Sequence, residues 1–235
     1  MTIFDELLSL EGGNVHITQE GPYDAPVLVL IHGLGGSGRW WDPLVPPLVG
    51  AHHVIRLDLL GFGRSAKPAG LGYEIPEHGA RVGVVLNRLG VRRAVLAGHS
   101  TGGLVVTALA EQRPDLVASF ALINTGPHVS AHTAEEVALD ERADDVRGMS
   151  LHAFAATLQS ARDYLRRQSL PRRLRALDMP FLAVFGAEDR RSSAAARYRR
   201  IPGARVEVLP VRSPVREAPA RTGALLRTLP AAPNG

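Results

Sequence analysis

The sequence predicts an α/β fold: a mostly parallel sheet flanked by helices, with a small helical lid. Three observations predict it. Short apolar runs rich in β-branched residues alternate with segments of helical spacing, as in chains of β-α-β units. These runs are continuously apolar, which is typical of strands that are buried on both faces of a sheet. The segment 126–178 departs from the alternation and shows helical spacing only.

The elements follow in order along the chain. Strands are expected at 14–20, 26–32, 52–57, 93–98, 116–123, 180–185 and 204–209. Helices are expected at 77–89, 100–113, 192–200 and 214–229. Pro76 suits the first turn of the first helix and Gly90 its end.

The segment that departs from the alternation of strands and helices is expected to form the lid. T133-A-E-E136 resembles a capping box, and the residues 150–165 have helical spacing. Helices inserted between strands of an open α/β sheet would cover the carboxyl ends of the strands, where such sheets bind ligands. We therefore expect a core formed by 1–126 and 179–235, and a helical lid formed by 127–178.

Composition narrows the possible classes of function. The chain has 235 residues, 45% of them hydrophobic, which suits one globular core. It has no cysteine, so disulfides, thiolate nucleophiles and cysteine metal sites are excluded. No apolar run reaches the ~18 residues of a membrane span, and the acidic N-terminus does not resemble a basic signal peptide. We therefore expect a cytoplasmic protein without membrane contact.

Positive charge is concentrated in arginine, because Lys67 is the only lysine in a chain of net charge +4. Arginines crowd the stretch 162–200, where they are either solvated helix faces or a docking surface for an acidic partner such as a carrier protein. The stretch lacks the interleaved aromatic residues and motifs of nucleic-acid readers, so nucleic acid is not an expected partner.

Chemistry is expected at the pentapeptide G98-H99-S100-T101-G102, which has the pattern G-x-S-x-G between a strand and a helix. This context predicts a nucleophile elbow, in which a tight turn exposes the hydroxyl of Ser100. H32-G33-L34-G35-G36 follows another strand. The glycines of this loop, Gly33 among them, allow its backbone to approach Ser100 closely, and Gly33 is expected to contribute to substrate binding. The amides of Leu34 and Thr101 are the candidate oxyanion hole.

Two further loops follow strands. D58-L-L-G-F-G-R-S65 is interpreted as a structural loop that braces the site. G186-A-E-D189 places Asp189 where a carboxylate can orient a catalytic base, the third role in a triad.

These motifs, in this order, resemble the α/β-hydrolase superfamily, and particularly its small bacterial esterases, lactonases and C–C hydrolases with a lid. The resemblance covers nearly the whole chain. It implies an acyl-enzyme on the serine, a triad in the order Ser, Asp, His, a small-molecule substrate and no cofactor.

The stretch V211-R212-S213-P214-V215-R216-E217-A218-P219 departs from the family. The family motif there reads close to G-H-S-P-x-x-E-x-P, which aligns Arg212 with the triad histidine, and no histidine follows His152. Arginine has no acceptor lone pair and cannot be a base. It can pair with Asp189, or it can bind a carboxylate or phosphate of a ligand.

Another histidine could serve as a relocated base. His128 at the lid entrance and His152 in a lid helix are the candidates, and both are expected to contribute to substrate binding. His99 and His32 are expected to pack or brace. The sequence thus predicts a serine hydrolase for an ester, lactone or thioester, impaired by Arg212. A non-hydrolytic enzyme (isomerase, epimerase or cyclase) and a ligand-binding pseudo-enzyme remain alternatives.

Overall fold

The computed structural model describes residues 3–128 and 149–231. Its eight-stranded sheet has the order β1-β2-β4-β3-β5-β6-β7-β8. The strands are β1 (Ile3–Leu10), β2 (Gly13–Glu20), β3 (Val27–Ile31), β4 (His53–Leu57), β5 (Ala94–His99), β6 (Val117–Ile123), β7 (Phe181–Gly186) and β8 (Ala204–Leu209). β1 and β2 pair antiparallel, as do β2 and β4, whereas β4, β3 and β5 to β8 run parallel. The predicted mostly parallel sheet is confirmed.

Helices lie on both faces of this sheet. The α-helices of the described residues are α1 (Ile75–Arg88), α2 (Thr101–Gln112), α3 (Leu151–Arg167), α4 (Leu170–Leu177), α5 (Ala195–Tyr198), α6 (Pro214–Glu217) and α7 (Pro219–Leu226). Short 3₁₀ helices cover Gly38–Leu44, Pro114–Leu116 and Arg190–Ala194.

The core is divided by the sheet into two apolar layers. Val29 and Ile31 of β3 belong to the layer under α1 and α2. Leu28 and Leu30 of the same strand belong to the layer under the Gly38–Leu44 turn and the C-terminal helices. Both layers are fully buried, and each such aliphatic side chain contributes about 1.5–3 kcal/mol. This two-sided burial explains why the strands are continuously apolar.

β1 was not predicted, because most of its side chains are exposed at the edge of the sheet. Ile3 and Leu7 are 56% and 53% exposed, so no buried face marks the strand in the sequence. β1 extends the sheet by pairing along its whole length with β2.

The described helices of the lid segment, α3 and α4, pack against the core helices. The Ile75 amide donates to Ser160 Oγ at 2.9 Å. Tyr164 Oη donates to Glu111 Oε2 at 2.7 Å, and Arg173 Nη1 donates to both oxygens of the same carboxylate. These contacts fix α3 and α4 beside α1 and α2. The predicted capping box at 133–136 lies outside the described residues, and the division into core and lid stays a prediction.

Candidate active site

Ser100 occupies a sharp turn between β5 and α2. Its backbone has φ 52° and ψ −118°, a conformation that costs a non-glycine residue about 1–3 kcal/mol. The turn is held because the Ser100 amide donates to Ile123 O at 2.9 Å and the Gly103 amide donates to Ser100 O at 3.1 Å. A side chain at Gly102 would collide with the carbonyl oxygens of Ile31 and His32. The predicted strand-turn-helix is therefore present, with the serine at its tip.

The candidate oxyanion loop lies against this serine. A Cβ atom added at Gly33 would lie 3.3 Å from Ser100 Cβ, so the loop backbone approaches the nucleophile as closely as a glycine allows. Thr101 is the first residue of α2, where helical amides have no partner within the helix. Leu34, the other candidate donor, is buried in the same loop. The Thr101 amide directly follows Ser100 in the chain, and the Leu34 amide directly follows the glycine that approaches it; their role as an oxyanion hole stays a prediction.

His32 and Asp58 support this loop, as the sequence predicted. His32 Nδ1 lies 2.7 Å from Gly33 O, and His32 Nε2 accepts the Leu59 amide at 3.0 Å, which fits a neutral imidazole. The buried Asp58 carboxylate accepts the Gly38 amide at 2.6 Å and bonds His16 Nδ1 at 3.0 Å. Burial alone would raise the pKa of Asp58, but its bond with His16 and further partners hold it below the ordinary value.

The group between Ser100 and the candidate acid is the guanidinium of Arg191. Nη1 donates to Ser100 Oγ at 2.7 Å. Nε and Nη2 donate to Asp189 Oδ1 and Oδ2, each at 2.8 Å. The Arg191 amide also donates to Asp189 Oδ1 at 2.8 Å, because Asp189 caps the short helix that begins at Arg190. An arginine thus joins acid and serine, a bridging role that histidine has in a Ser-His-Asp triad.

Arg191 also sets the ionisation of the acid. Asp189 is 8% exposed. Burial alone would raise the pKa of Asp189, but the hydrogen bonds and charge of Arg191 outweigh burial and lower it. The carboxylate is therefore ionised near neutral pH, and its charge is matched by the guanidinium.

The expected pairing of Asp189 with Arg212 is corrected by this geometry: Arg191 takes both carboxylate oxygens. Arg191 does so because it lies two residues beyond the acid on the same turn. Arg212 is exposed at the rim of a neighbouring cavity, and its carbonyl accepts Asn124 Nδ2 at 3.1 Å. Asn124 Oδ1 accepts the Gly186 amide at 2.9 Å. Asn124 thus ties the loops after β7 and β8 together. The sequence does not predict this role of Asn124.

Three cavities meet at Arg191. One of about 20 Å³ lies at Ser100 and shares Gly126, His128 and Arg191 with a second of about 320 Å³. A third, of about 600 Å³, also includes Arg191 in its lining. Its lining residues are Trp40, His99, Asn124, Asp189, Arg191, Arg212, Ser213, Arg216 and Glu217.

The histidines are distributed unequally among these cavities. His128 lines the cavity at Ser100. His152 is exposed on the first turn of α3, with its ring edge-on to Tyr73 at 5.8 Å, and does not line that cavity. His99 stacks on Trp40 at 4.6 Å, and burial lowers its pKa to about 3. Of the two candidate bases, the structure thus brings His128 to the serine.

The comparison with known families agrees with this architecture. A family model described as alpha/beta hydrolase fold matches residues 26–205. The chain belongs to the α/β-hydrolase family. Among solved structures, a hydrolase from Pseudomonas aeruginosa PA01 has a TM-score of 0.80 at 25% identity, covering 95% of this chain and 97% of that one. The enol-lactonase from Burkholderia xenovorans LB400 has a TM-score of 0.78 at 22% identity, with the same coverage, which shows the shared fold.

Curated relatives carry the name "Putative carbamate hydrolase RutD". The protein from Variovorax paradoxus is 38% identical over 121 residues, 51% of this chain and 46% of that protein. The one from Escherichia coli O1:K1 is 35% identical over 136 residues, 57% of this chain and 48% of that protein. The matched part of this chain spans about half the length of these relatives. In the described part of the α/β hydrolase, no helix is long and apolar enough to cross a membrane.

Proposed function

We propose that this α/β hydrolase cleaves an ester, lactone, thioester or carbamate bond of a small molecule through Ser100, and that Arg191 makes the reaction slow. The observation that carries the proposal is the chain of hydrogen bonds from Ser100 Oγ through the guanidinium to Asp189. The serine is positioned for attack, but the group beside it has no lone pair that can take its proton. Carbamates are included because of the name of the curated relatives.

The proposed reaction begins with attack of Ser100 Oγ on the substrate carbonyl. The amides of Leu34 and Thr101 bind the oxyanion that develops, which in other enzymes is worth about 10²–10³ in rate per donor. Arg191 donates to the attacking oxygen and stabilises negative charge on it. This helps the serine to ionise, but the proton itself has to go elsewhere.

We assign the proton to His128, reached through one water. His128 returns it to the leaving group as the bond between that group and the carbonyl carbon breaks, and water then hydrolyses the acyl-enzyme on Ser100. The cavity shared by His128, Ser100 and Arg191 measures about 20 Å³, enough for a single water molecule. Transfer through one water is within the reach of a general base. His128 is exposed, none of the described carboxylates bonds it, and the carboxylate of Asp189 is occupied by Arg191. The base is therefore less well organised than a triad histidine.

The expected rate follows from what remains of the triad. Serine hydrolases that lose a triad member retain about 10³–10⁴-fold catalysis over water from the oxyanion hole and substrate binding. We therefore expect this protein to accelerate the hydrolysis of activated esters about 10³–10⁴-fold over water. The acceleration should be somewhat larger where His128 takes the proton.

A second candidate function is supported by the 600 Å³ cavity. Its rim carries Arg212 and Arg216 beside Arg191, which also lines the cavity at Ser100. A non-hydrolytic enzyme, such as an isomerase, epimerase or cyclase, or a ligand-binding protein would use such cations to hold an acidic ligand without an acyl-enzyme. An acidic carrier protein that docks on the arginine-rich stretch 162–200 would fit either function.

Hydrolysis of 4-nitrophenyl acetate by purified variants tests the first proposal. Ser100→Ala should abolish the acyl-enzyme, which mass spectrometry detects as acetylated protein, and His128→Ala should lower kcat by about tenfold, less than the 10²–10⁴-fold of a firmly positioned general base. His152→Ala is the matched control and should leave kcat unchanged, because its ring lies against Tyr73. Acetylation that persists in Ser100→Ala would contradict the nucleophile assignment. Equal rates for the wild type and His128→Ala would contradict the base.

A further inference from the structure

All described residues that line the 320 Å³ cavity beside Ser100 are positively charged or neutral. Its lining contains Arg190, Arg191, Arg197 and His128. The remaining described lining residues are Gly126, Pro127, Ser193 and Ala194, so none of them is an aspartate or a glutamate. Arg191 is paired with Asp189, so Arg190 and Arg197 supply the excess of positive charge among these described lining residues.

The fold builds this charge from one short stretch of chain. Arg190 and Arg191 begin the 3₁₀ helix that follows Asp189, and Arg197 lies in α5. Asp189 fixes Arg191, while Arg190 and Arg197 are exposed at the cavity wall. The arginines are therefore held on rigid, adjacent turns, which is a suitable basis for binding a planar or tetrahedral oxyanion.

The cavity adjoins the smaller cavity at the nucleophile. Gly126, His128 and Arg191 line both the 320 Å³ cavity and the 20 Å³ cavity at Ser100. The arginine-lined space is thus the immediate neighbour of a substrate carbonyl bound at Ser100. A volume of 320 Å³ is at the lower end of the range for small-molecule sites.

The larger cavity that also includes Arg191 is electrostatically different. Its arginines, Arg191, Arg212 and Arg216, are partly balanced by the carboxylates of Asp189 and Glu217. With Arg191 paired to Asp189 in both cavities, the excess among the described lining residues is one positive charge in the larger cavity, against two, from Arg190 and Arg197, in the smaller one. An anion is consequently better matched to the smaller cavity.

We propose that the 320 Å³ cavity binds an oxyanion, a carboxylate or phosphate, that the substrate carries a short chain away from its scissile carbonyl. The preferred substrates are then acid-bearing esters or thioesters. The proposal rests on the proposed function only for placing the carbonyl at Ser100. Binding of the oxyanion itself does not require the serine.

Calorimetric titration with glutarate and with inorganic phosphate tests the site, in the wild type and in Ser100→Ala. Arg197→Gln should weaken binding about tenfold or more, the scale of one charged hydrogen bond. Arg190→Gln should act in the same direction. Arg199→Gln is the matched control: Arg199 is exposed just beyond α5, outside the cavity lining, and its loss should change affinity less than about twofold. Glutaramide, which has the same length without the charge, should not bind.

The outcomes separate this proposal from the hydrolase assignment. Saturable binding that Ser100→Ala retains and Arg197→Gln loses supports the site even where no ester is cleaved. A higher affinity for glutarate indicates a carboxylate-bearing substrate, and a higher affinity for phosphate a phosphate-bearing one. The absence of saturable binding, or an equal loss in Arg199→Gln and Arg197→Gln, would overturn it and leave only diffuse surface charge.

Discussion

Restoring a proton shuttle to this site should require two substitutions, because Arg191 fills the place that a new imidazole would need. In Arg212→His the histidine occupies the position given by the family motif. Asp189 Oδ1 already accepts two hydrogen bonds from Arg191 and Oδ2 accepts a third. Ser100 Oγ already accepts a fourth bond from the same residue. We therefore expect the single variant to gain little and Arg191→Ala with Arg212→His to gain much.

The size of the expected gain in turnover follows from these hydrogen bonds. An ionised carboxylate has about four lone-pair sites, and the Arg191 side chain and amide use three. Removing the side chain frees Oδ2 and one site of Oδ1 for an imidazole N–H, and it also frees the serine. A positioned general base supplies about 10²–10⁴-fold. We expect turnover at least about 10²-fold above Arg191→Ala, or about 2.7 kcal/mol of barrier. Arg212→His alone should stay within about tenfold of the wild type, because that base lacks an orienting partner.

The assay is the initial rate of 4-nitrophenyl acetate hydrolysis against pH, with Ser100→Ala in each background as the blank. The rate of the double variant should fall as the pH is lowered through the ordinary histidine pKa of about 6.5, because the imidazole works as a base only when it is neutral. Arg190→Ala with Arg212→His is the matched control, because Arg190 neighbours the bridge without forming it. A gain as large in this control as in the double variant would refute the view that Arg191 blocks the shuttle. A folded double variant with no gain would refute it as well.

Three further predictions concern stability, each measured by denaturant unfolding. Thr157→Val should lower the free energy of unfolding by about 1–3 kcal/mol. The buried Thr157 hydroxyl donates to Tyr73 O at 3.0 Å, and a valine leaves that carbonyl without this bond. A loss below about 0.5 kcal/mol, as at ordinary surface sites, would show that α3 is loosely held. The pKa of His16 is raised above 6.5, first by its bond with Asp58, so its contribution is fully present below the unfolded value and is lost as pH rises through the folded value. The stability gap between the wild type and His16→Gln should thus be larger at about pH 5.5 than at about pH 8.5, and a constant gap would contradict the bond. Arg191→Ala should lower the free energy of unfolding by about 1–3 kcal/mol. This is less than for a fully buried ion pair, because solvent can reach the Asp189 carboxylate once the arginine is gone. An unchanged unfolding midpoint would argue against the Arg191–Asp189 pair.

The sequence predicts well those features that depend on neighbouring residues. β3 is a continuous apolar run because both of its faces are buried, and the elbow at Ser100 follows from small residues at fixed spacing between a strand and a helix. β1 was missed because its exposed side chains produce no buried face. Local burial is visible in a sequence, whereas pairing at an exposed edge is not.

The active site was only partly predictable, because its decisive contact depends on a side-chain conformation. The register of the family motif drew attention to Arg212, but Arg191 is the residue that bonds the acid and the serine. The one available signal was its position two residues after Asp189, at the start of a helix that Asp189 caps. A guanidinium can turn in several directions from that turn, and the sequence does not specify which. Asn124 was missed for a similar reason, since its two bonds reach loops that are distant along the chain.

The most direct test of the central claim is the rate at which a fluorophosphonate modifies Ser100, with the adduct located by peptide mass spectrometry. The central claim is that this serine is a nucleophile whose activation is limited because an arginine stands between it and the acid. The wild type should therefore form one adduct, on Ser100, at a rate at least about 10²-fold below that of Arg191→Ala with Arg212→His. An adduct on another residue, or a wild-type rate equal to that of the double variant, would contradict the claim.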